Sequence, residues 1–317
     1  MANPYIQIIS PITFTTKLKM KKGTIFLLAI TICAACNRKV SPEKEFSKSL
    51  FKATDHTAEN LFSRNIEGPA VDKQGRLFVV NYQKDGTIGL VHPDGKVDLF
   101  VTLPDKSIGN SIQFNANGNM LVADFIGHNI LEVNTETKAV SVYCHNDDFN
   151  QPNDICISKN GIVFASDPNW QQQSGQIWKV GSDRKAVLAK GEMGTTNGIC
   201  LSPDDKILYV NESVQRRIWA FDVDAQGTLS GQRIFATVND FGFDGMKTDR
   251  EGNLYVTRYG KGAIAIYSPD GRQKQEVQLK GKNVSNITFG GKDYKTCFVT
   301  LQDRKGMEKF RTDVAGR

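Results

Sequence analysis

Six copies of one sequence pattern carry an oxygen-donor side chain at the same position. The copies align on an aromatic or leucine anchor residue that recurs every 43 to 46 residues: Phe78, Leu121, Phe164, Tyr209, Tyr255 and Phe298. Eleven or twelve residues before each anchor lies a position called the slot, which holds Glu67, Asn110, Asn153, Asn197, Asp244 and Asn286. Carboxylate and amide oxygens suit Ca²⁺, whereas Zn²⁺ prefers His and Cys.

Four slot residues are predicted to hold a metal ion: Glu67, Asn153, Asn197 and Asp244. If they converge, two carboxylates would repel one another with no basic slot residue between them, and a cation would relieve that repulsion. Ca²⁺ is the expected ion, with Zn²⁺ or Mn²⁺ as alternatives. For any single slot residue, hydrogen bonding to neighbouring backbone at the start of a strand is the competing explanation.

The repeat predicts the elements that position these residues. Runs such as Leu77–Val80 and Ile207–Val210 are β-branched or apolar and lie between Gly, Asn and Asp turns, which indicates short antiparallel strands. Each copy has room for four strands, so the predicted fold is all-β, a six-bladed β-propeller over residues 59–317. The sixth copy is too short for four strands, and the segment around residues 46–62 is expected to close the ring by joining the last blade.

In a propeller, the first strand of each blade lines the central channel, so the slots form a ring at one end. The loops after the second strands lie on the same face, and a polar floor with an aromatic and charged wall suits a small molecule. The predicted substrate contacts from the ring and these loops are Asn110, His128, Trp170, Glu212 and Arg258. Competing explanations are an exposed loop histidine without function, rim packing by Trp170, and a surface ion pair involving Arg258 or Glu212.

The N-terminal region resembles an export signal. From Met20, two lysines precede an apolar stretch of about a dozen residues that ends in small residues before Cys36. Residues 1–36 are therefore predicted to be an upstream extension plus a lipoprotein-type signal, with translation starting at Met20 and lipid attached to Cys36. Ordinary secretion and an uncleaved anchor are the alternatives. Residues 37–58 are expected to be a tether, which would place the protein in a bacterial cell envelope, lipid-anchored or periplasmic.

Charge and cysteine content narrow the choice of partners. Residues 1–66 hold 10 Lys and Arg against 4 Asp and Glu, whereas the remaining residues hold 30 against 30. A neutral repeat array gives little support to nucleic-acid binding, which needs a clustered basic face. Cys156 and Cys200 fall on adjacent first strands, where small buried residues are usual and a disulfide is the alternative. A monomer is expected.

Several strings in order resemble one family. The sequences QPNDICISKNGIVFASDP, TTNGICLSPDDKILYV and DGMKTDREGNLYVT are similar to the senescence marker protein, gluconolactonase and luciferin-regenerating enzyme family, over residues 60–301. The resemblance implies a calcium-dependent propeller that hydrolyses lactones, with organophosphates as substrates of some relatives. It also implies that the four predicted ligands bind the metal and that Asp244 acts as the acid-base group. Members acting on sugar lactones often carry Arg where this chain has Gln151, a further expected substrate contact.

The resulting hypothesis is a lactone hydrolase. Lactone hydrolysis builds negative charge on the carbonyl oxygen, which a metal ion can stabilise while a carboxylate accepts a proton. Asp244 is predicted to be that carboxylate, and no Gly-x-Ser-x-Gly elbow offers a serine nucleophile. The alternatives are a phosphotriester hydrolase of the same fold, and a non-catalytic propeller that binds a ligand or a protein around a structural ion.

Overall fold

A computed structural model describes residues 50–317, and they form a six-bladed β-propeller of four-stranded antiparallel sheets. The predicted fold class is confirmed. The predicted signal at 1–36 and most of the predicted tether at 37–58 lie outside the described residues. No helix among residues 50–317 has the length and apolar character needed to cross a bilayer.

Blades 1 to 5 each consist of four consecutive strands. The strands of blades 1 and 2 are β2 (Phe62–Val71), β3 (Leu77–Tyr82), β4 (Thr87–Val91), β5 (Val97–Thr102), β6 (Gly109–Phe114), β7 (Met120–Asp124), β8 (Asn129–Val133) and β9 (Val140–His145). Those of blades 3 and 4 are β10 (Ile155–Ile157), β11 (Val163–Asn169), β12 (Ser174–Val180), β13 (Ala186–Met193), β14 (Thr196–Leu201), β15 (Ile207–Glu212), β16 (Arg217–Val223) and β17 (Leu229–Thr237). Blades 5 and 6 contain β18 (Met246–Thr248), β19 (Leu254–Arg258), β20 (Ala263–Tyr267), β21 (Gln273–Gln278), β22 (Val284–Gly290), β23 (Thr296–Leu301), β24 (Gly306–Arg311) and β1 (Thr54–Asp55).

The hydrophobic core is divided among the contacts between neighbouring blades. Each of the six apolar clusters combines residues of two adjacent blades, and each includes an anchor residue from the first of the two. Phe78, for example, lies edge-on to Phe100 at 4.9 Å between ring centres, inside the cluster shared by blades 1 and 2. A buried aromatic side chain contributes about 2 to 3 kcal/mol through its apolar area. The repeat period of the sequence is therefore the spacing of these interfaces.

The ring closes through β1, the outer strand of blade 6. Thr54 pairs with Lys309 and Asp55 with Glu308 in antiparallel register, inside the range in which the sequence predicts the closing segment. Arg304 links the two paired strands β1 and β24, because its guanidinium lies 2.7 Å from Asp55 and 2.6 Å from the buried Glu308. The last blade is thus completed by residues that precede the first blade in the chain.

The far end of the central channel is covered by the C-terminus. Gly316 forms a β-bridge with Asp249, and the Arg317 backbone N–H donates to Thr248 at 3.1 Å. Cys156 and Cys200 line the channel here as free, buried thiols, so the disulfide alternative is wrong in this structure. Burial raises the pKa of the Cys200 thiol to about 12, which keeps it protonated and unreactive at neutral pH.

His56 takes part in the closure as a buried ring. Its imidazole lies 4.8 Å from the Phe298 ring, the anchor of blade 6, and both ring nitrogens lack a hydrogen-bond partner among the described residues. Burial, helped by the positive charge of Lys309, lowers the pKa of His56 from 6.5 to about 4. The folded protein therefore holds this histidine in its neutral form.

His56→Phe should change how stability depends on pH. A histidine with a lowered folded pKa favours the folded state above pH 6.5, and this contribution is lost as pH falls from 6.5 towards 4. The expected difference between wild type and His56→Phe across this window is on the order of 2 kcal/mol of unfolding free energy. Urea titrations at several pH values measure it, with the exposed His145→Asn as a control. Parallel pH profiles for wild type and His56→Phe would show that His56 titrates normally.

Candidate functional site

The slot lies where each first strand departs from regular pairing. Register shifts interrupt the ladders at Glu67 on β2, beside Asn110 on β6 and at Asn197 on β14. Asn153 and Asp244 stand just ahead of β10 and β18, and their backbone N–H groups still bond to the second strands. Irregular pairing of this kind re-aims a side chain, and it is common beside functional sites. In blades 1 to 5 the slot side chain thereby points into the channel.

Glycines after the slot allow the first strands to approach closely. A Cβ on Gly68, whose φ is +51°, would lie 2.7 Å from the Asn110 carbonyl oxygen, and one on Gly198 would lie 2.2 Å from that of Asp244. Contacts this short leave no room for a side chain. Neighbouring slots are therefore held together by backbone contact, and the ring is narrow enough for its side chains to share one cavity.

Five of the six slot side chains meet at the floor of a cavity of about 410 Å³. The lining residues are Asn65, Glu67, Ile108, Asn110, Phe125, Asn153, Trp170, Asn197, Ser213, Gly242, Phe243, Asp244, Tyr259 and Gln302. Asn286 is not among them: its side-chain oxygen accepts the Ile287 backbone N–H at 2.8 Å. The structure thus brings together all four predicted metal ligands, and their role as ligands stays a prediction.

The two floor carboxylates are electrostatically unfavourable together. Burial, and next the charge of Asp154, raise the pKa of Glu67 to about 8, although Glu67 accepts the Gly68 backbone N–H. Burial and then the charge of Glu67 raise the pKa of Asp244 well above its usual value. Glu67 is almost fully buried, whereas Asp244 is half-buried at the cavity wall. Each carboxylate therefore disfavours ionisation of the other.

Asp154 is a third acidic residue beside the floor, and it lies outside the set of residues predicted to form the site. One of its carboxylate oxygens accepts from Ser111 at 2.6 Å and from the Ile155 N–H at 2.9 Å. The other oxygen is buried without a hydrogen-bond partner among the described residues. The sequence does contain a signal for Asp154. A charged residue at the start of a buried first strand is unusual, and it could have indicated a functional role.

The amides of the ring are held by their own contacts. The Asn197 amide donates to the Ser213 hydroxyl at 3.0 Å, and Ser213 in turn donates to the Phe243 carbonyl at 2.6 Å. The Asn110 amide donates to the Asn153 carbonyl at 3.2 Å. Because these hydrogen bonds use the NH₂ groups, the amide oxygens of Asn110 and Asn197 can coordinate a cation or accept a hydrogen bond from a substrate.

Most of the cavity wall is apolar. Ile108, Phe125, Trp170, Phe243 and Tyr259 line it, and the Tyr259 hydroxyl donates to Gln302 at 3.1 Å. Trp170 and Tyr259 lie in loops after second strands, where substrate contacts were predicted. Ile108 and Phe243 precede first strands, in loops outside those predicted to form the wall. The signal there was an apolar residue one or two positions before the slot.

Gln151 and His128 do not line the cavity. Gln151 donates its backbone N–H to Asp167 at 2.6 Å, which ties this segment to β11. His128 occupies the turn between β7 and β8 with φ of +56°. Both residues lie on the cavity face, but neither side chain reaches the floor in this structure, which differs from the prediction for both.

Glu212 and Arg258 are also placed away from the cavity. Glu212 is buried, accepts the Gly194 N–H at 2.8 Å and forms an ion pair with Arg217. The Arg258 guanidinium is 1% exposed and lies 2.5 Å from Asp240. Burial of a charge requires such partners. Both residues end their second strands, β15 and β19, and their side chains lie outside the cavity lining, where substrate contact was predicted.

Arg258 nevertheless supports the wall from behind. Its guanidinium lies 5.2 Å from the centre of the Phe243 ring, and its second ion-pair partner is Glu276 at 3.4 Å. A cation stacked on an aromatic face fixes the orientation of the ring. Phe243 is therefore held in the wall by the same arginine that the sequence suggested as a substrate contact.

The donor set decides which metal could fit. Within the described part of the chain, no group of three or more His, Cys, Asp or Glu side chains is arranged to hold a metal ion. A metal ion at this floor would be held by the amides of Asn153 and Asn197 together with the carboxylates of Glu67 and Asp244. This set consists of oxygen donors with two negative charges, which matches a hard divalent cation such as Ca²⁺.

Comparison with known proteins identifies relatives with this architecture. A gluconolactonase of Zymomonas mobilis is 26% identical over 286 residues, which is 79% of this chain and 79% of that protein. A lactonase of Staphylococcus aureus is 25% identical over 70% of this chain and 72% of its own length. The solved structure of regucalcin from Agrobacterium tumefaciens, described as a calcium-binding protein, has a TM-score of 0.72 and 22% identity over 84% of this chain and 94% of that one.

The family match spans the whole ring of slots. Residues 66–303 match the family described as SMP-30/Gluconolactonase/LRE-like region, and this range contains every slot from Glu67 to Asn286. The family resemblance predicted from the sequence strings is therefore confirmed. Since the match extends over well more than half of the chain, this protein belongs to the SMP-30/Gluconolactonase/LRE-like family.

Proposed function

We propose that this protein is a hydrolase that opens lactones with the help of a divalent metal ion, Ca²⁺, held by Glu67, Asn153, Asn197 and Asp244. The observation that carries the proposal is the placement of two carboxylates, the buried Glu67 and the half-buried Asp244, with two amides at one cavity. The names of the relatives from Zymomonas mobilis and Staphylococcus aureus support the lactone chemistry. A small-molecule ester is thus the proposed substrate.

The charge of the residues that line the cavity supports the proposal of a bound metal ion. None of the residues that line the cavity within the described part of the chain is Lys, Arg or His. Glu67 and Asp244 therefore have no cationic partner at the cavity surface, and Asp154 adds to the repulsion. Opposite charges a few ångströms apart in a partly desolvated site interact by several kcal/mol. A divalent cation between the carboxylates would be attracted to both of them and would offset their mutual repulsion.

The two carboxylates are suited to different tasks. Glu67 is nearly fully buried and is oriented by the Gly68 N–H, which suits a permanent ligand. Asp244 is half-buried at the cavity wall, where it can accept the proton of the attacking water. A bound Ca²⁺ would supply Lewis acidity, polarising the lactone carbonyl and favouring deprotonation of water. Asn110 lies beside these groups and can donate to or accept from the ester.

Metal binding should be visible in thermal stability. At a hundredfold excess over Kd, Ca²⁺ should stabilise the folded state by about 3 kcal/mol, or roughly 5 to 10 °C in Tm. Differential scanning calorimetry of metal-free protein with chelator and with Ca²⁺ measures this shift. Glu67→Gln should reduce it, whereas the exposed Asp105→Asn should not. Equal melting temperatures with and without Ca²⁺ in the wild type would refute the metal site.

Asp244→Asn separates catalysis from metal binding. The amide keeps an oxygen for the metal but cannot accept a proton at neutral pH, so kcat for lactone hydrolysis should fall by roughly 10² to 10⁴. The comparison requires Ca²⁺ concentrations that saturate both proteins, because weaker metal affinity would imitate lost catalysis. Asp105→Asn is again the matched control. If Asp244→Asn protein saturated with Ca²⁺ hydrolyses lactone at nearly the wild-type rate, another residue accepts the proton.

A panel of substrates distinguishes this function from its alternatives. Sugar, aliphatic and aromatic lactones are assayed beside a phosphotriester, each with and without chelator. Chelator-sensitive hydrolysis of a lactone is the expected result. Hydrolysis of the phosphotriester alone would indicate the second enzymatic function, and inactivity over the whole panel would indicate a binding propeller.

We also propose that the chain is exported and anchored by lipid at Cys36, as the residues from Met20 onward suggest. Diacyl and N-acyl chains together give stable membrane attachment. Cys36→Ala should release the protein from the membrane fraction, measured by fractionation and by mass spectrometry of the mature N-terminus. An unmodified N-terminus at another residue would contradict the proposal.

A further inference from the structure

Exposed apolar side chains surround the mouth of the cavity. Four large hydrophobic residues in the loops of the cavity face form what is here called the apolar rim: Ile126, 45% exposed, Trp170, 40%, Val214, 40%, and Phe241, 50%. Other exposed hydrophobics, such as Leu99 and Ile234, lie on the outer strands of the blades. Clustered exposed apolar residues mark binding surfaces more often than scattered ones.

The apolar rim is continuous with the cavity wall. Ile126 follows the lining residue Phe125, and Val214 follows Ser213. Phe241 precedes the lining residue Gly242, and its ring would lie 3.0 Å from a Cβ on Gly260, beside Tyr259. An apolar surface therefore runs from the aromatic wall above the polar floor to the outer face of the loops.

The polar side chains of the wall are engaged within the protein: Ser213 donates to the Phe243 carbonyl, Tyr259 donates to Gln302, and the Asn65 amide donates to Asp85. Above the floor, Ile108, Phe125, Trp170 and Phe243 present carbon surface. A hydroxyl pressed against such a surface loses its water without gaining a hydrogen bond, at a cost of about tenfold or more in affinity. The one arginine behind the wall, Arg258, is engaged by Asp240 and Glu276, so it offers no contact to an anion.

We propose that the site takes uncharged lactones that carry an apolar chain or ring, an inference about substrate class that rests on the proposed lactone hydrolysis. The lactone carbonyl faces the polar floor, and the apolar substituent lies against Phe125, Trp170 and Phe243 and extends over the apolar rim. Polyhydroxylated and anionic sugar lactones are disfavoured. Trp170 and Phe125 are the residues that select for the substituent, because they join the wall to the rim.

A homologous series of substrates tests this selectivity. δ-Lactones with hydrogen, propyl, pentyl or heptyl at the ring carbon next to the ring oxygen differ only in apolar surface. Each methylene that leaves water should raise kcat/KM by about two- to fourfold, and glucono-δ-lactone should be a poorer substrate than the pentyl lactone. Trp170→Ala should raise KM for the pentyl lactone more than for the unsubstituted one. Ile234→Ser, an exposed apolar residue on an outer strand, is the control and should leave the series unchanged.

Binding of the corresponding lactams separates this inference from the catalytic proposal. Lactams with the same substituents resist hydrolysis, and isothermal titration calorimetry reports their affinity without turnover. Affinity that rises with chain length supports the inference, even if no lactone is hydrolysed and the proposed hydrolase activity fails. Hydrolysis with no dependence on chain length, or a preference for gluconolactone, overturns the inference and leaves the proposed function standing. Absence of both activity and lactam binding refutes both.

Discussion

Apolar packing between neighbouring blades is the interaction on which the rest of this structure depends. Each anchor residue fills a cluster shared with the next blade, as Phe78 does against Phe100 and Phe114. Because this contact repeats six times, the sheets must close into a ring, and no single blade buries its own faces. The last contact requires a strand from the N-terminal side of the chain, which explains why Thr54–Asp55 and His56 belong to the final blade.

The ring brings several buried polar and acidic groups together near its axis. The blade interfaces are almost entirely apolar, whereas Glu67, Asp154 and Asp244 meet near the channel with unfavourable electrostatics. Such a grouping persists only where the surrounding packing holds it in place, and it is typical of sites that bind ions or activate substrates. The stable apolar interfaces and the electrostatic repulsion at the axis are therefore both consequences of closing the blades into a ring.

Much of the fold could be predicted from the chain because its signals are local and repeated. Anchors at regular intervals, turn residues between strands and one polar slot per copy were sufficient to predict six blades and the convergence of Glu67, Asn153, Asn197 and Asp244. Arg258 was misplaced for a physical reason: its sequence position predicted the cavity face, but Asp240 and Glu276 draw the guanidinium inward. The aromatic wall residue Phe243 was missed because it precedes a first strand, whereas the prediction placed the cavity wall in the loops after second strands.

The sequence by itself determined the number of blades, the identity of the slot residues and the family, because these depend on residue type and period. Only the tertiary structure decided which side chains reach the cavity. Glu212 ends the second strand of blade 4 and Trp170 directly follows that of blade 3, yet Glu212 is buried against Arg217 and Trp170 lines the cavity mouth. The difference comes from the side-chain partners that each residue finds in three dimensions, such as Arg217 and the Gly194 N–H for Glu212, and a periodic pattern carries no information about such contacts. The apolar rim likewise exists only once separate loops are brought to one face.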